Sequence, residues 1–298
     1  MNTGNRKRPE GICREAIFCW QGKSRAKENL VLRLLQKNRV NPARAVLTYQ
    51  GNDFKLAVYL KSQVLAEKIQ RKASPLLRPH GISFASRGLK KKDWLFKWNE
   101  YFHIQPLGKK FVIVPMWERK KYPQGLKGKR AIYIDPRGDF GSGTHATTRL
   151  VVLLMEELEG RFRDFFDIGT GTGILSLAAA KLGAKSVSGI DLHAHSVQTA
   201  RLNLRANRVS GRIFRRNIRS YREKNFDLVC ANLLSRTLLE NKKKILGLVS
   251  PEKWLIVSGI GRQHLKNFRK NFKDGRFRCL KILQRNGWGA LLYRRRPQ

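Results

Sequence analysis

The chain has 298 residues, 41% of them hydrophobic, and 62 basic against 21 acidic side chains give it a formal net charge of +41. That much apolar material can bury a core, which excludes a disordered basic protein. No apolar run reaches the roughly 18 residues of a membrane span, and the basic start Arg6-Lys-Arg8 is followed by no apolar signal core.

Residues 1–90 are predicted to form a β-α-β-β-α-β module. Ala16-Ile-Phe-Cys-Trp20 reads as a strand, and Ser24 as the cap of a helix to about Lys37 carrying Leu30, Leu32, Leu34 and Leu35. Ala45–Tyr49 and Phe54–Leu60 flank the hairpin signal Gln50-Gly-Asn-Asp53. Ser62 is expected to cap a second helix, with Val64, Leu65 and Ile69 facing inward and Pro75 ending it. Ile82-Ser-Phe84 opens the last strand. This order is that of a ferredoxin-like α+β domain.

Residues 91–130 read as an aromatic and basic linker region. Lys90-Lys-Lys92 marks the boundary, and Trp94, Trp98 and Tyr101 would share one helix face. Phe111–Val114 and Ile132–Ile134 read as strands. Residues 131–298 are read as the third region, and from about residue 140 strands and helices alternate. Strands are expected at Phe165–Ile168, Ser186–Ile190, Phe226–Cys230 and Trp254–Ile260, with helices at Ile174–Leu182, at Ala194–Asn207 and, after the third of these strands, to about Leu248. Such alternation predicts a mostly parallel sheet covered on both faces.

The central motif is Asp167-Ile-Gly-Thr-Gly-Thr-Gly173, where a strand turns into a helix. Gly169, Gly171 and Gly173 allow a tight turn and close approach of a ligand. A dinucleotide turn would want glycine or alanine where Ile174 stands, and a pyrophosphate would be repelled by Asp167. A carboxylate there suits the cationic methionyl end of S-adenosyl-L-methionine (SAM). Asp191 ends the next strand, where it can accept both ribose hydroxyls. Asn232 ends a later strand at the ligand-binding edge. The cysteines Cys13, Cys19, Cys230 and Cys279 lack paired zinc spacing, so no metal is expected, and free thiols suit the cytoplasm.

Together with Asp93-Trp, Trp98, Phe102, Asp135-Pro136, the block Phe140-Gly-Ser-Gly-Thr-His-Ala-Thr-Thr148, Ala231-Asn-Leu-Leu234 and Ser258-Gly-Ile260, these motifs resemble the PrmA-type ribosomal protein methyltransferases. That family uses SAM to N-methylate the eleventh protein of the large ribosomal subunit. The resemblance spans about residues 90–260, with a weaker echo at Trp288. It implies an α/β fold, a Rossmann-like class I SAM-dependent methyltransferase domain with a smaller N-terminal ferredoxin-like domain that recruits the protein substrate. It places cofactor contacts on Thr148, Gly169, Asp191 and Asn232. Asn232 is read as the residue nearest the nucleophile. His145 is read as a loop-structuring histidine. The sequence departs from the family at Arg137-Gly-Asp139, Ala146 and His193, and in its basicity.

The charge is uneven. Residues 1–150 carry net +22 and residues 201–298 net +21, whereas residues 151–200, which hold the glycine turn, carry net −2. The basic remainder points to RNA or ribonucleoprotein contact through the surface. Two alternatives stay open from sequence: an RNA methyltransferase, and a non-catalytic ribosome- or RNA-binding protein of the same fold.

Overall fold

The computed structural model describes residues 13–38, 40, 45–50, 52–60, 63–89, 102–120, 128–136, 142–223 and 225–297. The chain divides into two compact units, Met1–Tyr101 and Phe102–Gln298. The expected Ser62 cap, the Lys90–Lys92 run, the 93–101 aromatic helix and Phe140-Gly141 lie outside the described residues.

The first unit runs β1 (Cys13–Gln21), α1 (Arg25–Lys37), β2 (Ala45–Gln50), β3 (Asp53–Leu60), α2 (Gln63–Leu77), β4 (Ser83–Leu89). Its antiparallel sheet has the order β2-β3-β1-β4, the ferredoxin-like arrangement. Alternation along the strands puts Ala16, Phe18 and Trp20 of β1 and Leu56, Val58 and Leu60 of β3 into one core with Val31, Leu34 and Leu35 of α1. Ser24 caps α1, its hydroxyl accepting from the Lys27 amide at 3.3 Å.

Helix α2 departs from the sequence reading in two ways. Val64 faces outward at 72% exposed, and the buried stripe is Ala66, Ile69, Ala73 and Leu77. Pro75 lies inside the helix instead of ending it. A helix-interior proline costs about 3 kcal/mol, and burying a leucine such as Leu77 returns about 1.5–3 kcal/mol. The stripe therefore carries the helix past Pro75, and the chain leaves helix only at Gly81, whose φ is +64°.

The second unit begins with a three-stranded sheet of β5 (Gln105–Leu107), β6 (Phe111–Pro115) and β7 (Arg130–Ile134). There follow α3 (Ala146–Glu156), β8 (Asp164–Ile168), α4 (Ile174–Lys181), β9 (Ser186–Asp191), α5 (Ala194–Ala206), β10 (Arg212–Arg215) and β11 (Phe226–Asn232). Then come α6 (Ser235–Glu240), α7 (Lys242–Leu246), β12 (Val249–Gly261), α8 (Leu265–Phe272), β13 (Phe277–Arg285) and β14 (Trp288–Arg295).

The large sheet has the order β10-β9-β8-β11-β12-β14-β13. The first five strands are parallel, and β14 runs antiparallel to both neighbours. This is the Rossmann-like class I methyltransferase fold. The strand order reverses between β8 and β11, and ligands bind at such a switch point, outside the carboxyl ends of the strands.

The single helix expected between the Asn232 strand and about Leu248 is in fact two short helices. Asn241 separates them: its side-chain amide donates to the Thr237 carbonyl at 2.9 Å, a local bond that competes with helix propagation. The sequence reading also missed β10, α8 and the β13–β14 hairpin. The hairpin turn is Asn286-Gly287, both at positive φ (48° and 78°), a short-range signal that was present in the sequence.

Candidate active site

The carboxyl ends of β8, β9 and β11 carry the predicted residues. Register aligns Asp167 with Gly189 and with Cys230, and Asn232 with Ser258. Past β8 the chain turns at Gly169, Gly171 and Gly173, with φ of 76°, 55° and 80°, a left-handed conformation that side chains with a Cβ resist. Gly173 then leads into α4.

Asp191 is wired to that turn. Its Oδ2 accepts from the Gly171 amide at 3.1 Å, and its Oδ1 from the His193 amide at 2.9 Å. The residue expected only to bind ribose thus also sets the turn. Asp167 lies beneath, 1% exposed. Its Oδ2 accepts from Thr170 at 2.8 Å and Ser176 at 3.3 Å. Burial pushes its pKa up to about 7, against the pull of those two hydroxyls and with a contribution from the Asp191 charge.

Asn232 and the following Leu233 are clasped from two sides. A Cβ on Gly169 would lie 2.6 Å from Leu233 Cδ2, and a Cβ on Gly259 (φ +90°) 2.0 Å from the Leu233 carbonyl oxygen. The Leu233 amide donates to the Ser258 carbonyl at 3.1 Å. Three stretches far apart in sequence therefore fix one loop.

Thr148 sits buried in the first turn of α3, which packs on β11 and β12. His145 caps this helix: its Nδ1 accepts from the Thr147 amide at 3.4 Å and bonds the Thr147 hydroxyl at 2.7 Å. Its ring meets Trp288 edge-on at 5.1 Å, joining the C-terminal echo to the loop. Burial lowers the pKa of His145.

Asparagines missed by the sequence reading hold the rim. Asn203 accepts from the Asp135 amide at 2.9 Å and donates to the Asp135 and Thr172 carbonyls at 3.1 and 2.9 Å. One turn on, Asn207 pairs with the amide and carbonyl of Tyr133 at 2.9 and 2.7 Å. The two amides act as an extra strand along β7 and tie it to the glycine turn. Their signal was two asparagines four apart at the end of α5, Asn203 in its last turn and Asn207 capping it.

Among the described residues, nine buried side-chain N or O atoms have no hydrogen-bond partner, and three of the nine are Thr148 Oγ1, Asp167 Oδ1 and Asn232 Oδ1. An unsatisfied buried polar atom costs about 1–3 kcal/mol. Such atoms at the ligand edge of the fold are what a donor-bearing ligand would satisfy. The two carboxylates and the amide oxygen match a molecule with an ammonium group and ribose hydroxyls. They do not match a pyrophosphate, which carries acceptors only.

The family model for "Ribosomal protein L11 methyltransferase (PrmA)" matches residues 23–296. This chain belongs to that methyltransferase family. The L11 methyltransferase of Lactobacillus gasseri is 31% identical over 254 residues, covering 85% of this chain and 79% of the relative. That of Desulforapulum autotrophicum is 32% identical over 234 residues, 78% and 76% of the two chains. The crystal structure of a ribosomal protein L11 methylase from Lactobacillus delbrueckii subsp. bulgaricus superposes with a TM-score of 0.59 at 29% identity, covering 65% of this chain and 100% of that one. SAM is the methyl donor of the family, and the acceptor set described above fits it.

Proposed function

We propose that this chain methylates lysine or α-amino nitrogens of ribosomal protein L11, with residues 1–90 as the recruiting module and the cytoplasm as its location. SAM, when bound, supplies an electrophilic methyl on a sulfonium sulfur. In this reading Asp191 and the glycine turn hold the ribose, and Asp167 faces the methionyl cation. Asn232 carries the proposal: its amide oxygen is buried and unpartnered at the end of β11, in a loop clasped by two glycines. That oxygen accepts a hydrogen bond from the substrate amine and so aims the nitrogen lone pair, and orientation of this kind supplies much of the rate in a displacement. Leu234, 68% exposed next to this loop, offers an apolar rest for a lysine stem. Such surroundings favour the neutral, nucleophilic amine. His145 Nδ1 is engaged in the helix cap, so the reading assigns it no proton transfer. The surface charge is read as contact with RNA or ribonucleoprotein near the substrate.

The test is transfer of labelled methyl from SAM into purified L11 or ribosomal RNA, with the modified residue located by mass spectrometry. Label on L11 amines is expected. Label in the RNA fraction, or none, would overturn the reading.

A further inference from the structure

Residues 201–222 contain eight arginines, no lysine and no acidic residue, in a chain that elsewhere mixes the two cations: Arg201, Arg205, Arg208, Arg212, Arg215, Arg216, Arg219 and Arg222. All eight are exposed. They wrap the free edge of the large sheet, where β10 pairs with β9 alone. Among the described residues, the ion pair of any of the eight is Arg212 with Glu223, at 3.4 Å. On one side of the edge Arg201, Arg205 and Arg215 line a groove of about 390 Å³ floored by Val197 and Leu202. Arg201 and Arg215 are positioned by bonds to the Ile213 and Leu192 carbonyls, at 3.0 and 3.3 Å.

Protection of an exposed strand edge is the plain alternative. It needs charge on the strand itself, with lysine the usual choice. Here six of the eight lie off β10, and none is lysine. Guanidinium forks match phosphate oxygens in pairs and stack on flat rings, which an ammonium does not do. An apolar floor between such forks suits an unstacked base together with its phosphate.

We propose that the edge formed by α5, β10 and residues 216–222 docks single-stranded RNA, its phosphates on the arginines and a base in the groove. The proposal deepens the RNA-contact part of the proposed function and gives that contact a place.

The experiment measures binding of a labelled 12-nucleotide uridylate to the full chain between 50 and 200 mM salt. The variant R205Q/R208Q/R222Q is compared with K243Q/K266Q/K270Q, which removes the same charge from three exposed lysines of the second unit. Each single-strand phosphate contact contributes about 0.7 to the log–log salt slope. The arginine variant should therefore lower the slope by about 2 and lose about 20-fold less affinity across that range. The lysine variant should keep the parent slope, and all three proteins should bind SAM equally. Equal loss in both variants would make the charge diffuse and overturn the assignment, as would absence of RNA binding by the parent. Equal affinity for polyglutamate would show a general polyanion surface and overturn it too. Methylation of L11 by the parent, measured on the same preparations, separates failure of this docking surface from failure of the substrate reading.

Discussion

Two edges of the same sheet solve opposite electrostatic problems. The carboxyl ends of β8, β9 and β11 carry Asp167, Asp191 and Asn232, oxygen acceptors set among buried residues, the two carboxylates in a segment of net −2. The lateral edge at β10 carries eight exposed arginines. The first collects acceptors and suits a ligand with positive charge and donors. The second collects donors and suits phosphates. Geometry differs as sharply as charge: the first is fixed by hydrogen bonds and close glycine contacts, the second by side chains standing in solvent. One fold can thus keep a cationic cofactor and a polyanion apart.

The largest effect expected at the carboxyl edge comes from Gly259→Ala. The new Cβ would meet the Leu233 carbonyl oxygen at 2.0 Å, so the Asn232–Leu233 loop must move. Misplacement by about 1 Å can cost about 100-fold in rate, and the left-handed backbone adds roughly 1–3 kcal/mol of strain. Turnover and thermal melting measured together should show both losses. Unchanged turnover would remove the clasp from the account of the site.

Asp191→Ala comes next. It removes a charged acceptor from the Gly171 and His193 amides as well as from the proposed ribose contact. A loss of roughly 1.5–3 kcal/mol corresponds to about 10- to 150-fold weaker SAM binding, read by calorimetry. A native affinity in the variant would break the pairing of turn and ribose.

Asp167 makes the comparison sensitive to pH. Its folded pKa of about 7 lies above the ordinary 3.8. The folded chain then holds a proton that the unfolded chain releases, so this residue's contribution to stability is fully present below about pH 4 and is lost as pH rises through 7. A bound cation favours the ionised carboxylate, so SAM affinity should rise by up to about tenfold from pH 6 to 8. Asp167→Asn should flatten both trends. A parent affinity that is flat over this range would show that Asp167 does not face the cation.

The smallest effect is itself diagnostic. Between 50 and 200 mM salt the affinity for SAM should change by less than about twofold, because a buried site is screened little. RNA affinity should fall steeply over the same range. A parallel fall of both would couple the two edges and favour RNA as the methyl acceptor.

Much of this was set by local sequence. Short apolar runs mark β1, β3, β8 and β11, Ser24 caps α1, and Asp167-x-Gly-x-Gly-x-Gly173 marks a strand–turn–helix wherever the chain places it. These features depend on neighbours a few residues away, so they are legible without a structure. Tertiary packing decided the rest. Val64 faces out and Pro75 stays in helix because Ala66, Ile69, Ala73 and Leu77 are the residues that find a core. Asn203 and Asn207 become structural because β7, some 70 residues away, presents an unpaired backbone to them. The Asn232 loop takes its shape from Gly169 and Gly259, and the arginines of 201–222 gather on one edge only because β10 has a neighbour on one side alone. Local spacing can mark such residues but cannot name partners that distant in the chain, and so only the folded structure could assign the contacts.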